Sequence, residues 1–319
     1  NFYYDNFRNE HTLYDSEYKA RMNFLTGVVT NHPPTSAELA EAQVYDWRNY
    51  EQSWKSNGVL NYNQTFNNKH EVSAMAGYEE YRWWKREIDI CKKGMVNNSL
   101  TDFNAMTEPS YLSGYSRELA TRSWFGRVNY AFDSRYLFEA NIRYDGSSRF
   151  AKENRWGVFP SFSAGWRLSE ESFIKDLNFF DNLKLRASWG KLGNSAINNY
   201  YAYQSLYAVN NYVFGGNVSS GFGMSSFSNP NLQWETTTVT NIGLDLSLLN
   251  NRLSATVEWY NKLTDGILYQ PSLSATLSYF GSPYRNIAEV LNRGLELTVG
   301  WQDRVKDFHY SVNANFSLN

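Results

Sequence analysis

Apolar and polar residues alternate with period two in one segment after another. In the last, Phe308, Tyr310, Val312, Ala314, Phe316 and Leu318 are apolar, and His309, Ser311, Asn313, Asn315 and Ser317 between them are polar. At this composition one such window arises by chance with probability on the order of 10⁻⁴. The pattern recurs. Tyr136, Phe138, Ala140, Ile142 and Tyr144 alternate with Leu137, Glu139, Asn141, Arg143 and Asp145. Phe162, Ala164, Trp166 and Leu168 do so with Ser163, Gly165 and Arg167, and Leu183, Leu185, Ala187 and Trp189 with Lys184, Arg186 and Ser188. The segments from Ile242 to Leu248, Leu253 to Trp259 and Leu295 to Trp301 repeat it. Successive side chains of a strand point to opposite faces, so each segment reads as a strand with one apolar and one polar face.

The charges fall almost wholly on the polar face. A Lys or Arg facing lipid at mid-bilayer costs roughly 2–4 kcal/mol, which gives this segregation a physical cause. Arg293 lies on the Leu295 face and is expected at a strand end, above the hydrocarbon. Trp166, Trp189, Trp259 and Trp301 stand near ends of the apolar faces, where an aromatic girdle belongs.

Connections alternate short and long. Residues 67–69, 133–135, 249–252 and 303–307 are short, whereas 84–119, 145–157, 191–234 and 262–290 are long. Outer-membrane barrels pair short periplasmic turns with long outer loops. One periplasmic connection, 169–182, is longer, and Ser169 to Ile174 within it suit a helical turn. About ten strands follow, near 52–66, 69–83, 120–132, 136–146, 157–168, 182–191, 234–249, 252–264, 290–302 and 308–319. Residues 1–50 read as a long extracellular loop, with a capping box at Thr35 to Glu38 before a short helix, and 51–319 as strands and loops of the same domain. The expected fold is all-β: an antiparallel up-and-down transmembrane β-barrel, present in part. Ten strands can close a small barrel, but four long outer loops suit a larger one of roughly 22 strands with a plugged lumen.

Composition narrows the alternatives. Among 319 residues the net charge is −2, which gives no support for nucleic-acid binding. No run approaches the ~20 apolar residues of a transmembrane helix. The mean hydropathy is negative, which a barrel tolerates because only one face is apolar. Aromatic residues reach 17%, which fits interfacial girdles but also a carbohydrate-binding sandwich. One cysteine, Cys91, rules out an intramolecular disulfide. It reads as an exposed, inert thiol beside Lys92 and Lys93, with no base to activate it. The chain opens at Asn1 with neither a methionine nor a signal peptide, and is expected to be an internal piece of a longer precursor.

Five segments resemble the SusC/RagA-type branch of TonB-dependent outer-membrane transporters. They run Arg143-Tyr144-Asp145-Gly146-Ser147-Ser148-Arg149-Phe150; Phe159 to Leu168; Leu183 to Gly190 with Gly193-Asn194; Asn229-Pro230-Asn231-Leu232-Gln233-Trp234-Glu235; and Asn292-Arg293-Gly294-Leu295-Glu296-Leu297. The resemblance covers residues 120–319 and is loose before them. It implies import of oligosaccharide or peptide. An N-terminal plug would be moved by the proton-motive force through TonB, and a SusD-type surface lipoprotein would cap the barrel. The plug, the TonB-contacting segment and the last barrel strands are expected to lie outside these residues, in a multi-pass protein of the Gram-negative outer membrane.

No catalytic, metal or cofactor constellation emerges. His11, His32, His70 and His309 lack metal-ligand spacing. Gly221-Phe222-Gly223 starts like a dinucleotide fingerprint, but Ser226 replaces the third glycine. Adjacent Glu170 and Glu171 read as solvated charges on a turn rather than as an acid–base pair. Two sets carry the functional expectations. Trp83, Trp84, Tyr200, Tyr201, Tyr203, Tyr207, Tyr212 and Phe214 are candidates for substrate or partner contact, by stacking or by packing between loops. Glu139, Arg143, Arg167, Lys184, Arg186, Asp245, Glu258 and Glu296 are candidates for lumen or plug contact. A passive porin-like channel and a surface carbohydrate-binding or adhesin protein are the competing readings.

Overall fold

The computed structural model describes residues 2–15, 21–22, 29–30, 43–95, 102–272, 274 and 282–319. The strands are β1 Phe2–Asp15, β2 Arg21–Met22, β3 Val29–Thr30, β4 Gln43–Phe66, β5 His70–Met95, β6 Met106–Phe132, β7 Tyr136–Ser147, β8 Trp156–Arg167, β9 Phe180–Asn194, β10 Leu206–Phe214, β11 Asn217–Ser226, β12 Glu235–Leu248, β13 Leu253–Tyr269, β14 Arg285–Val305 and β15 Phe308–Leu318. A 3₁₀ turn, Leu168–Glu170, and a one-turn helix α1, Ser172–Lys175, fill the connection between β8 and β9. The ten strands read from the alternation correspond to β4–β9 and β12–β15. The capping box at Thr35 to Glu38 lies outside the described residues.

The order β1-β4-β5-β6-β7-β8-β9-β12-β13-β14-β15 makes one antiparallel meander, with β1 at one end and β15 at the other. β10 and β11 pair separately, as do β2 and β3. By spatial clustering the chain forms two compact units. One holds residues 57–80 and 121–319, the other residues 2–56 and 81–120.

In the first unit the register gathers the alternating residues into rows. Phe138 faces Ala164, Ala164 faces Ala187, Ala187 faces Ile242, Ile242 faces Trp259, Trp259 faces Leu295, and Leu295 faces Leu318. The neighbouring row is Leu137, Gly165, Arg186, Gly243, Glu258, Glu296 and Ser317. A one-residue slip would turn the charges of the polar face to the apolar one, so a bilayer against that face would enforce this register. Phe138 and Phe162 are 51% and 54% exposed, on the face expected to meet hydrocarbon. Arg293 stands opposite Asn261, which stands opposite Thr240. Arg293 therefore sits one residue pair beyond Ile242, Trp259 and Leu295, among polar neighbours on the strands beside it.

Turns on the short side have left-handed backbone. Asn67 and Asn68 have φ of 51° and 54°, and Asp133 and Ser134 both have 52°. Two consecutive positive φ values match the right-handed twist of flanking strands, and Asn and Asp tolerate them best. Neighbouring turns are linked: Asp133 N donates to Lys69 O at 2.7 Å, Arg167 N to Arg135 O at 2.8 Å, and Gln302 N to Arg252 O at 2.8 Å.

In the second unit, β1 pairs with β4 from Phe2↔Ser56 to Asp15↔Gln43, so part of the segment expected as a long outer loop is strand. The expected loop 84–119 is likewise mostly strand, because β5 and β6 run on to Met95 and back from Met106. Val44 and Met106 are buried together against Phe103 and Ala105. Cys91 departs from expectation: it is buried, with Sγ 3.4 Å from Gln43 Oε1.

Candidate functional site

The polar face of the first unit carries an ordered row of charge. Arg186 on β9 donates from Nε to Asp245 of β12 at 3.2 Å and from Nη2 to Glu258 of β13 at 2.5 Å. Thr256 Oγ1 donates to the second Asp245 oxygen at 3.2 Å. Arg186 spans two strands because Gly243 lies between them. A Cβ there would come 2.6 Å from Arg186 Cζ. A guanidinium fork holding two carboxylates by charge-assisted hydrogen bonds is a fixed electrostatic feature.

Of the eight lumen candidates, Arg186, Asp245 and Glu258 are brought into direct contact, and Glu296 stands opposite Glu258. Glu139 and Lys184 join Arg186 in lining a cavity of about 640 Å³ on this face, together with Glu71, Asn129 and Asn241. Glu139 accepts from Asn141 Nδ2 at 2.8 Å, and Arg127 Nε donates to Asn141 Oδ1 at 2.6 Å. Arg143 is committed elsewhere, to Asp145 at 3.0 Å, with its guanidinium over the Phe125 ring. Arg167 donates to the Ser134 carbonyl in a turn. Arg127, Asn141 and Thr256 were missed, although the alternation that exposed Glu139 and Asp245 puts them on the same face.

Above the wall the outer connections close on a small core. Phe150 and Leu232 are fully buried with Ile197 and Ala202, and Trp234, Leu268 and Tyr284 pack around them. Phe150 and Phe159 meet the Trp234 ring at centroid distances of 5.2 and 5.3 Å. Phe159 lies across Gly157 and Gly193, where any Cβ would overlap its ring. Polar clamps surround the cluster. Trp234 Nε1 donates to Arg155 O at 3.2 Å, Arg149 to Ser195 O at 3.2 Å, and Asn229 Nδ2 to Tyr284 O at 2.8 Å. Asn286 Nδ2 donates to both Gln233 O and Gly266 O, and its Oδ1 accepts from Gln233 N. Asn is one of few side chains that satisfies a backbone donor and acceptor together.

The aromatic candidates separate into three places. Tyr200, Tyr201 and Tyr203 are half-buried beside the clamp, where Arg149 lies 5.4 Å from the Tyr200 ring centroid. Tyr207, Tyr212 and Phe214 lie exposed on the β10–β11 hairpin. Tyr207 shares a face with Val209 and Val213, and with Phe222 and Val218 across the pair. Tyr212 and Phe214 are on the opposite face, with Tyr212 lying along Gly221 and Gly223. The Gly221-Phe222-Gly223 run is thus strand, with no phosphate-cradling turn. Trp83 and Trp84 belong to the second unit. Trp83 Nε1 donates to Glu51, and Trp84 meets Tyr50 edge-on at 5.6 Å. Among the described residues no group of His, Cys, Asp and Glu is arranged to hold a metal.

Comparison with known proteins adds a frame. The profile of the family described as TonB dependent receptor-like, beta-barrel matches residues 1–319. The chain is 37% identical over 270 residues to TonB-dependent receptor P39 of Formosa agariphila, covering 83% of this chain and 25% of that protein. It is 39% identical over 212 residues to TonB-dependent receptor SusC of Bacteroides thetaiotaomicron, covering 65% and 21%. A solved structure of the RagAB peptide transporter superposes with a TM-score of 0.76 at 28% identity, over 86% of this chain and 31% of that one. The chain spans about a quarter of the length of the curated relatives it matches.

Proposed function

The chain belongs to the TonB dependent receptor-like β-barrel family, in its SusC/RagA-type branch, and from that premise we propose that it walls an energised outer-membrane importer of oligosaccharide or peptide. Receptors of this family span the outer membrane with strands, and the apolar face described above is the surface that contacts lipid. They are receptors and transporters, and the chain has no catalytic role in this reading.

The observation that carries the proposal is the row Arg186–Asp245–Glu258 on the face opposite lipid. A merely hydrated pore needs no charges locked across three strands. A lumen that seats a separate domain does, because fixed charges give that domain a register and release it at modest cost. Glu139, Lys184 and Glu296 would supply the adjoining contacts, while Arg143 and Arg167, held by Asp145 and the Ser134 carbonyl, would reach a plug only by giving up those partners. The plug, with the segment that engages TonB, belongs to the rest of the receptor. The long connections of the first unit would lie outside the cell, where a SusD-like lipoprotein would cap them. The loop aromatics, Trp83, Trp84, Tyr200, Tyr201, Tyr203, Tyr207, Tyr212 and Phe214, offer flat apolar faces to sugar rings or peptide side chains. The likeness to a peptide transporter supports the peptide alternative, and the aromatic density supports sugars.

Uptake of labelled oligosaccharide and peptide mixtures by cells carrying the full-length receptor tests this. Accumulation is expected to stop when a protonophore collapses the proton-motive force or when TonB is deleted. Uptake that continues under both treatments would establish the passive channel instead.

A further inference from the structure

On the short-loop side, the connection between β8 and β9 holds three large apolar side chains in the open. Phe173, Leu177 and Phe179 are 60%, 61% and 58% exposed. Helical hydrogen bonding continues past α1, with Asp176 N donating to Ser172 O at 3.0 Å and Leu177 N to Ile174 O at 3.1 Å. Phe173 and Leu177 are therefore one turn apart on the same side. Asn178, with φ of 49°, ends the turn and sends Phe179 on beside Phe180, their ring centroids 5.0 Å apart.

A tether fixes which way this foot points. Glu171 Oε1 accepts from Tyr136 Oη at 2.6 Å and from Trp166 Nε1 at 3.0 Å, and Oε2 lies 3.4 Å from Arg135. Hydrogen bonds from the Tyr136 phenol and the Trp166 indole, aided by the Arg135 charge, hold the Glu171 carboxyl below its ordinary range. Tyr136 and Trp166 stack on the apolar face, at the girdle level. Their polar tips face water while their rings face hydrocarbon, as interfacial aromatics do. Glu171 thus draws the foot to the lipid side of the wall rather than beneath the lumen. Nearby charge leaves the apolar side clear, because Lys175 turns to Glu170 at 3.1 Å.

We propose that residues 172–179 form a membrane-surface foot, seated in the headgroup region of the periplasmic leaflet and latched there by Glu171. The occupant of its apolar side is phospholipid, because that side continues the lipid-facing wall through the Tyr136–Trp166 pair. Short apolar turns seated this way are buried roughly 5–10 Å into the headgroup and acyl boundary. The proposal does not depend on what the receptor imports.

The full-length receptor, with Cys91→Ser, is labelled with bimane at Phe173→Cys, Leu177→Cys or Phe179→Cys and placed in nanodiscs whose phospholipids carry a nitroxide near the carbonyl. Phe138→Cys on the wall and Asn250→Cys in a short turn bracket the response. Labels at 173 and 177 are expected to be quenched nearly as strongly as the wall label, and at least about twofold more than the turn label. Quenching no greater than at 250 would overturn the proposal. So would quenching by aqueous iodide alone, which would leave the face free for a periplasmic protein. Glu171→Ala should keep the heat-modifiable mobility of an assembled barrel while lipid quenching at 173 falls toward the turn value. Quenching unchanged by Glu171→Ala would overturn the latch.

Discussion

In the wall, Phe138, Phe162 and Ile242 stand on the outer face of the sheet, whereas Phe150, Ile197 and Leu232, carried by the same chain, are shut away from solvent in the outer connections. The residue types are alike, and the surroundings differ. In the wall an apolar side chain needs no protein partner, because lipid supplies one, and the sheet is held by ladder hydrogen bonds and by register. Outside the bilayer water returns, and three long connections must bury a core of their own. A substitution's cost should therefore depend on which solvent the position meets.

The sharpest test of that difference is Phe150→Ala. It leaves a cavity in the clamp and should cost about 3–5 kcal/mol of local stability. Protease cleavage within 195–234 should quicken by orders of magnitude in the full-length receptor, while heat-modifiable mobility stays that of an assembled barrel. Next in size is Leu297→Arg on the lipid face, expected to cost roughly 2–4 kcal/mol of membrane stability and to lower the assembled fraction. Its neighbour Thr298→Arg points to the polar face, opposite Thr256 and Asn315, and should stay within about 0.5 kcal/mol. Equal effects at 297 and 298 would break the facing assigned to the whole sheet.

The wall was legible because a bilayer filters every second residue, and that filter leaves a period in the chain. The alternation around Phe138, Leu185 and Leu297 yields strand, face and level at once. The clamp left no period. Phe150 and Leu232 are isolated apolar residues among Ser, Arg, Asn and Pro, and their meeting depends on connections far apart in sequence. Glu171 was misjudged for the same reason. It reads as one of two solvated charges on a turn, and only the fold brings Tyr136 and Trp166 to it. Residues 81–95 and 106–119 read as loop because they lack the sustained alternation that marks the wall.

Two smaller effects sharpen the boundary between the regions. Gly243→Ala should push Arg186 off Glu258 and cost about 1–3 kcal/mol, read as a lower urea midpoint. Gly165→Ala, in the same row, comes tightly against only the flexible end of Lys184, at 3.1 Å, with Leu137 at an ordinary 3.6 Å, and should cost less. At the periplasmic edge the effect depends on pH. The Glu171 carboxyl is held below its usual range, so its contribution is present above the unfolded-state pKa and is lost as pH falls through the folded-state value. Hydrogen exchange across 172–179 should accelerate in acid below the ordinary carboxylate range, and Glu171→Gln should remove that dependence.

The least effect on stability is expected at the β10–β11 hairpin, which follows neither rule. It stands among the outer connections, yet Tyr207 and Phe222 are 68% and 78% exposed on a common face with Val209, Val213 and Val218. Water does not stabilise such a face, and under the proposed function it would meet a captured solute or a capping protein. Tyr207→Ser with Phe222→Ser should leave the denaturation midpoint within about 0.5 kcal/mol of the parent, because little burial is lost. Uptake, or capture of the surface lipoprotein, should fall. A midpoint lowered by more than about 1 kcal/mol would instead mean that the rest of the receptor covers this face, which would place the hairpin with the clamp.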